Sequence, residues 1–342
     1  MKGEILMRRV LLFSLIWLAW IIASSTAYAA SLEKLTGTVE LRRSNQDFFV
    51  QVQVGQEISV GDVLRTGPDG KAVLRLDAES TMSFGEDSEF MLGGEIEGVK
   101  QSLIGTFFRG VLRGVLSKRE GSFIATPRTR IGIRGTDISL TQKGNAGFYF
   151  LDEGSVGVRG EHTTAILDVG QMTATYAGRK PLPVFSFIKS SGLSQARDRL
   201  SLLTSIEIPP SLKEQAQLNE ILARWIINYA HYLADAGKAE DAETALLIAE
   251  ELTSRQNVKG EVLLQIGGLY FYHLNDVYGA LRSYRRIIRE YHDTSYYENA
   301  LYGAIRCFLQ LDQQEKAAEY ARRYKDVFPH GKYVQVLDLL LR

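Results

Sequence analysis

The stretch Gly121-Ser-Phe-Ile-Ala-Thr-Pro-Arg-Thr-Arg-Ile-Gly-Ile-Arg-Gly-Thr-Asp137 decides the fold. Side chains on a β-strand point alternately to its two faces, and this stretch alternates. Phe123, Ala125, Ile131 and Ile133 fall on one face, and Arg128, Arg130 and Arg134 on the other. The pattern predicts one half-buried strand with a bend at Pro127. After Gly135 the parity flips, so that Ile138 and Leu140 carry the next apolar face. A glycine at a parity change marks a bulge or tight turn that re-aims the chain.

Short alternating runs extend on both sides of it. Upstream are Val39 and Leu41, the even positions from Phe48 to Val54, Leu74 and Leu76, Met82 and Phe84, and Phe90 and Leu92. Gly55, Gly61, Pro68-Asp69-Gly70, Gly85 and Gly93-Gly94 separate them. Downstream, residues 147–151 and 155–159 flank Asp152-Glu153-Gly154, which predicts a hairpin with a bulge. Residues 163–168 and 171–176 predict a second pair around Val169-Gly170. Residues 103–116 carry apolar pairs every four positions and fit either a helix or a twisted strand. Strands this short and regular predict an all-β roll, sandwich or solenoid over residues 30–185.

The 342-residue chain is long enough for two domains, and its 40 basic and 40 acidic residues balance. A neutral total gives no global case for nucleic acid. Locally, eight basic residues and one acid lie between Lys100 and Arg134, just after an acidic patch of Glu86, Asp87, Glu89, Glu95 and Glu97. At the N-terminus Arg8-Arg9 precede the apolar run 10–23, and Ala27-Tyr28-Ala29 supplies small residues for a signal peptidase. The run is short against the ~20 residues of a membrane span. The reading is a signal peptide over residues 1–29, cleaved after Ala29, with an uncleaved anchor as the alternative and no membrane span after cleavage. No cysteine lies near the site, which excludes a lipoprotein, and the single Cys307 excludes an intrachain disulfide.

Several motifs then carry a resemblance. Val60-Gly61-Asp62-Val63-Leu64-Arg65-Thr66-Gly67, Phe108-Arg109-Gly110-Val111-Leu112-Arg113-Gly114, Ala125-Thr126-Pro127, Ile131-Gly132-Ile133-Arg134-Gly135-Thr136-Asp137, Leu151-Asp152-Glu153-Gly154-Ser155-Val156 and Asp168-Val169-Gly170-Gln171 follow in the order and spacing of FecR-type domains. The resemblance covers about 130 residues. Ile138 departs from it, because the family often has an aromatic residue there. Signalling members resembling ferric-citrate regulators carry an anti-sigma segment before a membrane span. Only nine residues precede the apolar run here, so that role is not expected to carry over. Gly132 and Gly135 read as backbone fixtures, and Thr136 as a hydrogen-bonding partner for a turn. Arg128, Arg130 and Arg134 read either as contacts for phosphate or carboxylate groups of an anionic envelope polymer or as partners of acids such as Glu95 and Glu97 and of solvent.

After Pro181-Leu-Pro183 and Ile208-Pro209-Pro210 the period changes from two to that of helices. Residues 186–210 read as a linker with a short bridging helix at 193–204, and residues 211–342 as an all-α array. Ser211…Glu214, Ser295…Glu298 and Asp312…Glu315 read as capping boxes, and Gly237 as a stop. Ala242, Ala280 and Ala317 recur 38 and 37 residues apart, followed one turn later by Leu246, Tyr284 and Ala321. Ile226, Leu264 and Leu301 sit at matching offsets, and Pro329 closes the third unit. This resembles tetratricopeptide repeats, whose period is roughly 34, in the longer form of outer-membrane assembly and Tol-associated proteins. Gly267-Gly268 depart from that consensus. The resemblance implies a groove for a partner, for which Tyr270, Tyr272 and Tyr302 are candidates, core packing being the alternative use of these rings.

No enzyme chemistry is expected. His162, His231, His273, His292 and His330 are scattered, without a pair at metal-ligand spacing. There is no Gly-x-Ser-x-Gly, no phosphate-cradling loop and no HExxH. The expected whole is α+β as separate domains, without cofactor or metal. It is read as an exported periplasmic protein that binds protein partners of the cell envelope. A regulator of envelope or iron-linked signalling and a glycan-binding or glycan-cleaving module are the alternatives.

Overall fold

The computed structural model describes residues 30–94, 102–118, 121–206 and 215–340, with side chains omitted at 215–217. The leader, the Ser211…Glu214 box, Glu95 and Glu97 lie outside the described residues. Among the described residues a sheet-rich part is followed by eight α-helices, as the change of period requires. Among them no helix is long and apolar enough to cross a membrane.

The sheet-rich part is two sheets face to face. One runs, neighbour by neighbour, through Glu57–Ile58, Ala30–Thr36, Lys71–Arg75, Thr81–Phe84, the second half of Ser102–Leu116, Thr136–Lys143, Ala146–Glu153, Gln171–Tyr176 and Phe185–Ser186. The other runs through Val50–Gln51, Val39–Arg42, Val63–Thr66, Glu89–Leu92, the first half of Ser102–Leu116, Ser122–Ala125, Arg130–Ile133, Val156–Arg159 and Thr164–Leu167. Residues 103–116 are therefore strand, and that strand belongs to both sheets. It changes sheet at Gly110, whose φ is +103° and where a Cβ would stand 2.3 Å from Ser88 Oγ. The Ser88 hydroxyl bridges the Val111 N–H and C=O at 3.0 and 3.1 Å, holding the corner.

Elsewhere the chain alternates hairpins within a sheet and corners between sheets. The central stretch is a hairpin, not one bent strand: Ile124 pairs with Ile131 and Phe123 with Gly132 across a turn at 126–129. Thr126 closes that turn, its N–H donating to the Thr129 carbonyl at 2.8 Å and its Oγ1 accepting from the Thr129 N–H at 3.1 Å. The reversal moves Phe123 to the face of Arg130, while Ile131 and Ile133 point inward as the alternation requires. Gly135, at φ +70°, carries the chain into the other sheet, where Ile138 and Leu140 are buried. The two hairpins expected around residues 152–154 and 169–170 are corners of the same kind, because Ala146–Glu153 and Val156–Arg159 lie in different sheets, as do Thr164–Leu167 and Gln171–Tyr176. A positive φ supports either a hairpin or a corner, so short spacing alone cannot separate them. The corner at Gly154 packs on that at Gly135: a Cβ on Gly154 would lie 1.9 Å from the Gly135 carbonyl oxygen. Asp137 accepts a forked ion pair from Arg113, at 3.0 and 2.6 Å, which ties two of the recognised motifs together.

The core between the sheets is aliphatic and aromatic, with Phe84, Phe90, Phe107 and Tyr149 among its largest members. Burial raises the Tyr149 phenol above its ordinary range, and its hydroxyl lies 3.0 Å from Thr175 Oγ1, which lies 3.3 Å from Thr129 Oγ1. A second core begins on the outer side of the first sheet. Phe148, Phe150, Met172 and Ala174 stand there in one cluster with helix α1 (Ser191–Thr204), which lies over Ser102–Leu116 and Thr136–Lys143, and with the interior of α2 (Gln215–Asp235), α3 (Ala239–Leu252) and α4 (Gln256–Tyr272). The segment read as a linker is thus a short 3-10 turn, Phe187–Lys189, and a helix laid on the sheet by Leu193, Ala196, Leu200 and Leu203. Polar ties line the seam: Arg197–Asp152 at 2.8 Å, Arg179–Glu243 at 3.0 Å, Lys180–Asp241 at 2.8 Å, and Lys143 Nζ to the Leu252 carbonyl at 2.7 Å.

Helices α5 (Val277–Glu290), α6 (Tyr297–Gln310), α7 (Gln314–Val327) and α8 (Val334–Leu340) continue the array. Ala242, Ala280 and Ala317 are fully buried at the starts of α3, α5 and α7. Gly267 and Gly303 are explained by Tyr284, whose ring lies between them and would meet a Cβ at 2.4 Å on one side and 2.7 Å on the other. Two expected capping boxes are not formed. Tyr296 and Gln313 hold the N-cap positions without a side-chain bond, and Ser295 contacts Asn257 at 3.4 Å. Glu298 accepts instead from the Tyr324 hydroxyl at 2.6 Å and the Lys332 N–H at 2.8 Å.

Candidate functional site

The outer face of the second sheet carries no helix among the described residues, and there the arginines gather. Register sets their places. Arg130–Ile133 runs antiparallel to Val156–Arg159, so that Arg130 stands directly opposite Arg159 and Gly132 opposite Gly157. Two missing side chains side by side leave a floor of bare backbone. Phe123 walls it from the neighbouring strand, Thr164 from the strand beyond, and Arg134 closes the far end. The resulting groove measures about 320 Å³. The Arg130 guanidinium carbon lies 5.4 Å from the centre of the Phe123 ring, a cation–π contact that helps to hold it over the groove.

Among the described residues the charge of the groove is uncompensated. Elsewhere on the same sheet Arg65 pairs with Glu40 at 2.7 Å and Arg109 with Glu89 at 3.2 Å. Among the described residues no carboxylate pairs with Arg130, Arg134 or Arg159. Like charges directly opposite across two strands repel, so the Arg130–Arg159 pair favours an anion between its forks. Guanidinium groups bind carboxylate and phosphate oxygens bidentately.

The arginine row read from the sequence is therefore divided and extended. Arg130 and Arg134 line the groove, with Gly132 in its floor. Arg128 sits in the hairpin turn, exposed, and packs by its backbone against Gly178. Gly135 serves the corner. The Thr136 hydroxyl, expected to hold a turn, is buried without a hydrogen-bond partner among the described residues. Arg159, Gly157 and Thr164 were not singled out in the sequence, and Phe123 was read there as a core residue. A signal for two of them was present: Val156-Gly157-Val158-Arg159 repeats the pattern of Ile131-Gly132-Ile133-Arg134.

The three tyrosines occupy different settings. Tyr270 faces the seam, where its hydroxyl donates to Glu243 at 2.5 Å beside Arg179; burial first, then the bond to Glu243, pushes it up to about 12. Tyr302 is half-buried and stacked on Tyr333, with ring centres 3.9 Å apart and planes 5° from parallel. Tyr272 is 63% exposed and takes a hydrogen bond from Arg306, whose guanidinium lies 4.6 Å from the Phe271 ring centre. Cys307 is buried, and burial pushes its thiol up to about 12. Among the described residues no group of His, Cys, Asp and Glu side chains is placed to hold a metal ion.

No protein-family model matches the chain, and no curated protein matches it. Two crystal structures of a candidate anti-sigma factor from Parabacteroides distasonis, at 1.65 and 2.50 Å resolution, are similar to part of it. They share 11% and 10% identity over 36% of this chain and 59% of theirs, each with a TM-score of 0.32. At that level the likeness carries no argument about this chain.

Proposed function

We propose that this chain is a non-enzymatic, exported scaffold of the cell envelope that holds an anionic envelope component with its sheet and a protein partner with its helices. The observation behind this reading is the arginine groove, without a paired carboxylate among the described residues, on the face of the sandwich that the helices leave open. Its lining residues are arginines, glycines, hydroxyls and apolar side chains, a set suited to recognition and lacking a general base. The helical part supports a tetratricopeptide-like reading through its successive helix pairs and its recurrent buried alanines. Tyr232, Tyr272 and Tyr278 are its exposed rings, at 65%, 63% and 60%. Rings of this kind make good interface anchors because they bury a large area with few rotamers lost.

The test is capture from crosslinked envelopes by the full chain. Arg130→Gln with Arg159→Gln should remove the anionic component and spare the protein partner, whereas alanine at Tyr232, Tyr272 and Tyr278 should do the reverse. Capture unchanged in both variants would overturn the reading. A regulator of envelope signalling is the second reading, favoured by the FecR-type motifs. It would be supported by a captured partner that is a membrane signalling protein. Export itself rests on the leader, and sequencing of the purified protein should begin at Ala30. An intact Met1 would make the chain an anchored one.

A further inference from the structure

We infer that the open-face groove is a binding site for a carboxylated sugar, taken as a unit of an acidic polysaccharide; the inference rests on the anion-binding reading above and names its ligand. Three features of the groove select this class. The opposed Arg130 and Arg159 offer two planar donor forks side by side, which match the two oxygens of a carboxylate. Beside them the floor is flat, because Gly132 and Gly157 are cross-strand partners. Thr164, the cross-strand partner of Arg159, places a hydroxyl on one wall, and Phe123 places an aromatic ring on the other. A pyranose ring carries a flat C–H face, a rim of hydroxyls and, in a uronic acid, one carboxylate. It uses the floor, the walls and the forks together. An inorganic polyphosphate uses the forks alone.

Gly132 is the telling residue. Gly110, Gly135 and Gly154 are needed for positive φ or close approach. Gly132 has neither reason: a Cβ there would meet only the Gly157 carbonyl oxygen, at 3.8 Å. In a strand a glycine without a backbone cause costs stability relative to a branched residue. The space it leaves is the space the ligand needs. The groove, at about 320 Å³, is at the lower end of ligand sites, which run roughly 300–1,000 Å³, and suits one or two rings.

The experiment is retention of the mature chain on immobilised polygalacturonate, with neutral dextran and inorganic polyphosphate as parallel supports. The expected result is salt-sensitive retention on polygalacturonate, little on dextran, and weaker retention on polyphosphate. Arg130→Gln with Arg159→Gln should lower polygalacturonate affinity by roughly tenfold or more. Gly132→Val should do so as well, while keeping both arginines. Its Cβ has room and valine favours strands, so its melting temperature reports that the fold is intact. Equal or stronger retention on polyphosphate, or undiminished polygalacturonate binding by Gly132→Val, overturns the sugar assignment and leaves the anion reading standing. No retention on either charged support, or retention that survives the double arginine variant, overturns both.

Discussion

On the outer face of the first sheet Phe148, Phe150, Met172 and Ala174 stand beneath helices; on the outer face of the second, Arg130, Gly132, Gly157 and Arg159 stand in the open. Both faces belong to strands of one sandwich. The difference lies in what the outward side chains can gain from a covering element. Large rings release water when a helix settles on them, at roughly 25 cal/mol per Å². A paired glycine offers a helix nothing to pack on, and an opposed arginine pair resists burial. Among the described residues the helices therefore dock on one face only, and the other is left open.

The largest effect that would test this contrast is at the covered face. Phe150→Ala should cost about 3–5 kcal/mol, because a fully buried ring is lost from the seam and from its contact with Phe187. Since that core is continuous into α2–α4, sheet and helix signals should melt together in calorimetry and circular dichroism. Two separated transitions would mean that the parts fold independently and that the covered face is a weak docking surface.

Alkaline pH should come next. Tyr229 and Tyr270 at the seam and Tyr324 in the array are each pushed from 10.0 to about 12, chiefly by burial. The unfolded chain then releases protons near pH 10 that the folded chain keeps. Their contribution is present below pH 10 and is lost as pH rises toward 12. Melting curves taken between about pH 9 and about pH 11 should show a falling midpoint, the same at the sheet and the helical signals. A midpoint that is flat or rising over that range would break the argument.

A smaller change is expected from Tyr270→Phe, which removes the hydroxyl bonded to Glu243 and leaves the ring in place. The expected loss is about 1 kcal/mol in chemical denaturation, with partner capture unchanged. Capture lost at unchanged stability would instead move Tyr270 from the seam to a binding surface. The smallest effect belongs to the open face. Arg130→Gln with Arg159→Gln should shift stability by no more than about 0.5 kcal/mol, toward greater stability, because a like-charge pair is removed. A large destabilisation would show that these arginines hold the fold.

Much of this architecture is legible in particular residues. The inward faces of Ile131, Ile133, Ile138 and Leu140 follow from alternation, and the re-aiming of the chain at Gly135 from the parity flip. The helix stop at Gly237, at φ +75°, and the buried alanine series follow equally from local pattern. The run Phe148-Tyr149-Phe150-Leu151 also held a signal, since four large apolar residues in succession belong to a strand buried on both sides. Phe123 was misplaced because one strand bent at Pro127 and a hairpin turning there share the same alternation up to the turn.

The sequence by itself determined most of the strands and helices, the inward faces of Ile131, Ile133, Ile138 and Leu140, and a sheet-rich part followed by a helical one, because each depends on neighbours a few positions away. Only the tertiary structure decided which strands pair, whether a glycine makes a hairpin or a corner, which sheet the helices cover, and that Arg159 stands opposite Arg130. Those depend on contacts between segments far apart in the chain. There the energy of a register comes from burying one set of side chains against another, and a shift of one residue would exchange every face.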